Sequence, residues 1–118
     1  MVTVTLFRIA AALCLLAVGL GAFGAHALKA TLQSSGMLEV WNKAVLYHFL
    51  HAIALLVFAF HGAGNRAAYF LILAGIVFFS GSLYAMALTN VRWLGATTPI
   101  GGLCFLAGWA WLIISPPR

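Results

Sequence analysis

Aspartate is absent from this chain of 118 residues, and Glu39 is its only acidic side chain. Paired-carboxylate acid–base chemistry and carboxylate-assisted triads are therefore excluded within one chain. Charge of either sign is scarce: charged residues make up 6% of the sequence, against about 25% in a soluble domain. Hydrophobic residues supply 65%, so the apolar surface needs a bilayer to receive it. Cysteine occurs only as Cys14 and Cys104. With no CxxC or zinc spacing, both read as small apolar residues without a disulfide role. The net charge of +5 is dispersed among segment ends. It makes no basic stripe for nucleic acid but suits the headgroups of membrane lipids.

What is present in quantity is long apolar sequence. A helix of roughly 20 residues crosses the ~30 Å hydrocarbon core, and residues 4–27, 37–60, 67–88 and 98–114 each meet that length. The second span enters at Met37 or Trp41, and the proline pair in "SPPR" stops the last. The chain thus reads as one domain over residues 1–118, an all-α integral membrane protein forming a four-helix antiparallel bundle. Asn65 with Arg66, and Thr89 to Gly95, supply turns; "LKATLQSSG" (Leu28 to Gly36) reads as a short amphipathic turn along the interface. Arg8, Arg66 and Arg118 lie on the terminus side, and Lys29, Lys43 and Arg92 with Glu39 on the loop side. The positive-inside rule therefore gives no net orientation.

One motif argues for a different class. "GLGAFGAH" places Gly19, Gly21 and Gly24 in the G-x-G-x-x-G spacing of a dinucleotide-binding turn, with Glu39 further on. That reading needs a preceding strand, but the apolar run reaching back towards Ile9 is helix-length, and no second strand signal follows. Ala17, Gly21 and Ala25 instead form a small-xxx-small face for close helix packing. Gly81 and Ala85 repeat that spacing in the third span. Glu39 stands four residues before Lys43, the favourable order for a helical ion pair. "AHA" at Ala25 to Ala27 imitates a secretory cleavage site, although the apolar run exceeds the usual signal h-region. Trp93, Trp109 and Trp111 fit interfacial belts.

Polar groups inside the bilayer are costly and so mark candidate sites. His48 and His51 lie roughly 10 and 15 Å below the loop-side boundary at the 1.5 Å helical rise. They share a helix with Tyr47, while His26 ends the first span, Ser82 and Tyr84 close the third and Thr98 opens the fourth. These residues are expected to form a loop-side polar cluster, with His51 at its lower edge. Such a cluster either holds helices together by hydrogen bonds or, with three histidines available, binds a metal, haem or small molecule. The first reading is preferred, and neither metal nor cofactor is assigned. His61, in "HGAGNR", reads as solvated.

Four motifs in order then carry a resemblance: "GAFGAHAL" from Gly21, "YHFLHAIALL" from Tyr47, "FSGSLYAMAL" from Phe79 and "TPIGGLCFLAGW" from Thr98. Together they resemble the YgdD-like family of small multi-pass membrane proteins of unknown function. The resemblance implies a bacterial inner membrane or an equivalent organellar one, and it brings no activity. The expected role is non-enzymatic: an interaction or accessory subunit that packs against itself or other membrane subunits. Binding of a ligand by the histidines is the competing role.

Overall fold

The computed structural model describes residues 2–60 and 66–116. The expectations for His61, Asn65 and Arg118 lie outside the described residues. Among the described residues the regular structure is helical throughout. Helix α1 spans Val2–Ala25, α2 Lys29–Ser34 and α3 Leu38–Phe60. A rod follows, made of α4 (Arg66–Gly75), a π-helical turn (Ile76–Ser80) and α5 (Gly81–Thr89). A 3₁₀ turn (Arg92–Ala96) leads into α6 (Thr98–Ile114). Among the described residues four helical segments are long and apolar enough to cross a membrane: Val4–Ala25, Leu38–Phe60, Arg66–Thr89 and Arg92–Ile114. The chain is a multi-pass, all-α membrane protein whose consecutive spans run antiparallel.

The connection read as an interfacial turn is a helix with a built stop. Gly36 adopts φ +75, the Gly36 amide donates to the Gln33 carbonyl, and the Met37 amide donates to the Leu32 carbonyl. These two bonds are the Schellman termination, which also brings apolar residues at the positions of Leu32 and Met37 together. Both side chains are buried and share a cluster with Trp41 and Ala87. Glycine is demanded at Gly36 because a Cβ is strained at that φ. At the other reverse, α5 ends on Asn90 at φ 57, a conformation that asparagine tolerates better than most residues. Pro99 occupies the first turn of α6, where its missing N–H is no loss.

Helix α1 packs along α3, and α6 along α4 and the π turn, while α3 also touches the whole rod. The most apolar stretches of α1 and α6 are 17% buried, against 33% for the two inner spans. The inner pair thus forms the centre, and α1 and α6 are flanks of a molecule 48 × 25 × 18 Å in extent. On α1, Leu6, Ala10, Ala17 and Gly24 are buried, with Leu13 and Leu20 half-buried between them. Alternating steps of four and three make this a left-handed seam of small and leucine layers.

The packing glycines differ in part from expectation. Ala17 is fully buried, and a Cβ on Gly21 would stand 3.3 Å from Val45 Cγ1. Ala25 is exposed, and Gly24 takes its place against the Trp41 indole, into which a Cβ would collide. Ala25 departs because α1 ends there and the chain turns through His26 to Leu28. Around Gly81, beside half-buried Ala85, there is open space; the close approach is at Gly101, where a Cβ would strike the Phe78–Phe79 main chain. The main chain of α6 therefore comes close to the main chain of the π turn, while Gly108 packs on Ile72 of α4.

Candidate functional site

Two apolar clusters bracket a polar layer. Leu6, Ala10, Leu55, Tyr69, Ile72 and Phe105 belong to the terminus-side cluster, and Leu32, Met37, Trp41 and Ala87 form the loop-side one. Between them along α3 and the rod lie the buried polar residues His48, His51, Ser80 and Ser82. Lipid provides no hydrophobic drive between helices, so close packing and interhelical hydrogen bonds must hold such a layer.

The expected residues meet as three separate groups. His48 Nδ1 lies 2.8 Å from the Tyr84 hydroxyl, joining α3 to α5. The Tyr84 ring also stands edge-on to Trp41, with centroids 4.9 Å apart. Ser82 Oγ lies 2.8 Å from Thr98 Oγ1, joining α5 to α6, and donates to the Phe79 carbonyl of the preceding π turn. His51 joins α3 to α6, stacking on Phe105 with centroids 3.8 Å apart. His26 stands exposed in the turn after α1 and makes no side-chain hydrogen bond to these groups. Exposed Tyr47 packs its ring on Phe79 at 4.8 Å and lends its main chain to His51.

The protonation of His51 follows from its neighbours. A carbonyl only accepts, so the 2.8 Å contact with Tyr47 O places the proton on His51 Nδ1. Nε2 then holds the lone pair and accepts the Trp109 indole N–H at 3.1 Å. Both ring nitrogens are occupied, which leaves no lone pair for a metal. Trp109, read from sequence as an interfacial anchor, is part of this layer. His48 differs: among the described residues its Nε2 is buried without a hydrogen-bond partner. Among the described residues no group of three potential metal ligands comes together.

Further cross-links run to main-chain carbonyls, and of their donors Ser80 is expected from sequence to meet another backbone. Ser80 Oγ donates to the Ala44 carbonyl at 2.8 Å, tying the π turn to α3. Trp41 Nε1 donates to the Leu20 carbonyl at 2.9 Å, and the Tyr69 hydroxyl to the Leu6 carbonyl at 2.7 Å. Both acceptors on α1 are followed four residues later by a small residue, Ala10 after Leu6 and Gly24 after Leu20. A residue four positions on overhangs the carbonyl, and a small one leaves its second lone pair open to a neighbouring helix. A tyrosine or tryptophan inside an apolar run is the available signal, since its polar tip needs a partner when buried.

Comparison with known proteins gives the family of the chain. The family model described as "Protein of unknown function (DUF423)" matches residues 20–102. The UPF0382 membrane protein SH2409 of Staphylococcus haemolyticus is 50% identical, with 93% of each chain covered. The UPF0382 membrane protein YwdK of Bacillus subtilis is 46% identical, covering 86% of each. The UPF0382 membrane protein C1782.12c of Schizosaccharomyces pombe is 35% identical over 93% of this chain and 99% of its own. No solved structure matches. Similarity of this extent, over a chain with four membrane-length helices, makes this protein a member of the DUF423 family of membrane proteins of unknown function.

Proposed function

We propose that this protein is a non-catalytic interaction subunit of a membrane assembly, packing against other membrane subunits or a second copy of itself. The observation that carries this reading is how the polar layer is used. His51 has both ring nitrogens engaged, and Ser80, Ser82, Tyr84, Thr98 and Trp109 each make an interhelical hydrogen bond. Among the described residues only His48 Nε2 is left over. A single buried nitrogen is a poor basis for haem or metal binding, which disfavours the ligand-binding alternative. The resemblance to YgdD-like proteins brings no activity to set against this reading.

A seat for a partner lies between α3 and α6. There Tyr47, Phe79, Phe105 and Trp109 wall an apolar groove of 640 Å³. Leu103 and Leu106 at its edge are exposed, and Gly102 has open space where a Cβ would sit. Gentle extraction followed by intact-complex mass measurement is expected to return a reproducible assembly free of metal, haem or soluble ligand. Leu106→Trp, which narrows the groove from outside, is expected to dissociate that assembly while leaving helix content unchanged. A monomer carrying a stoichiometric metal, haem or soluble ligand overturns the proposal.

A further inference from the structure

Arg8 is an exposed residue of α1, set about 6 Å inside the span that begins at Val4 by the helical rise. Leu6 and Ala10 are the buried residues on this turn of α1, so the guanidinium is on the lipid side. Intramembrane arginines ordinarily face the bundle interior and find a partner there. Among the described residues no acidic side chain stands near it: Glu39, the only acidic side chain in the sequence, opens α3 at the opposite end of the bundle. An anion from outside can serve Arg8.

Beside it lies a place for the rest of such a molecule. A groove of 410 Å³ runs between the start of α1 and the end of α3, lined by Val4, Phe7, Arg8, Ala59 and Phe60. Arg8 is the single charged residue among these, so the groove joins one cation to an apolar trough. We propose that it holds one anionic phospholipid, its phosphate on the Arg8 guanidinium and an acyl chain along Phe7, Ala59 and Phe60. The planar guanidinium fork matches two phosphate oxygens at once, and a long side chain near a helix end reaches the headgroup level. Anionic lipids are favoured because a zwitterionic headgroup carries its own cation beside the phosphate. This site is independent of the α3–α6 groove and of the assembly proposed above.

The test titrates the full-length protein in detergent micelles with phosphatidylglycerol, then with phosphatidylcholine of the same chains, counting adducts by native mass spectrometry. One phosphatidylglycerol adduct is expected. Arg8→Gln is expected to weaken it about tenfold, the loss of one charge-assisted contact, and Arg8→Lys to retain most of it. Val4→Trp, which fills the groove from the lipid side and keeps the arginine, is also expected to weaken it. Glycerol phosphate, which lacks chains, separates lipid binding from simple anion binding and is expected not to compete. Equal affinity of Arg8→Gln and the parent for phosphatidylglycerol overturns the proposal. So does equal affinity for the two lipids, or competition by glycerol phosphate at concentrations matching the lipid.

Discussion

His51 is an imidazole whose two nitrogens do opposite work, one donating to the Tyr47 carbonyl and the other accepting from Trp109. Nitrogen NMR of labelled protein is expected to find the Nδ1–H tautomer, and an Nε2–H signal would contradict the geometry. Trp109→Phe removes the donor and is expected to cost about 1 kcal/mol in a detergent unfolding titration, since a hydrogen bond inside a membrane bundle contributes about 0.6 to 2 kcal/mol. Tyr69→Phe, which frees the Leu6 carbonyl, is expected to cost a similar ~1 kcal/mol, measured the same way. The sequence shows that polar residues gather in this half of the membrane, but not how they divide. Residues three apart on a helix point about 60° from each other, and residues two apart about 160°. His48 therefore turns to Tyr84 while His51 turns to α6, and Tyr84 and Ser82 face different neighbours.

Elements differ in how openly the sequence announces them. Each span is announced by some twenty apolar residues, a signal that needs no partner to interpret. Helix α2 has only six residues, too few for periodicity to declare, and the leucine it buries finds its cover in Met37 and Trp41. The π turn at Ile76–Ser80 touches α3 and α6, partners that lie far from it in sequence. Gly36→Ala is expected to destabilise the protein by about 1 kcal/mol through the strained φ, and Gly36→Asn by less, as a thermal melt in detergent would record. At Gly101 the neighbour is main chain, which cannot rotate aside. Gly101→Leu is accordingly expected to detach α6 and to lose the folded species in size-exclusion chromatography, while Gly102→Leu at the open neighbouring position remains folded.

For the whole molecule, the division into an inner pair and two flanks decides where change is tolerated. Val18 is exposed and Ala17 is fully buried against α3. Val18→Leu is expected to alter stability by less than about 0.5 kcal/mol, and Ala17→Leu to cost about 1–3 kcal/mol through overpacking, read as the difference in unfolding midpoint. Equal effects would mean that α1 is not docked on this face.

The seam of α1 also bears on how the chain enters the bilayer. Its two acceptors, at Leu6 and Leu20, are main-chain oxygens already bonded within the helix, whereas the matching donors belong to Tyr69 and Trp41. As the ribosome delivers the chain, α1 is made before either donor. It can leave the translocation machinery as an ordinary apolar span, with no buried polar side chain on its docking face awaiting a mate. Trp41 arrives next with α3, and Tyr69 only after the chain has turned back through the membrane. The order of synthesis thus presents each acceptor on α1 before the donor that fastens to it.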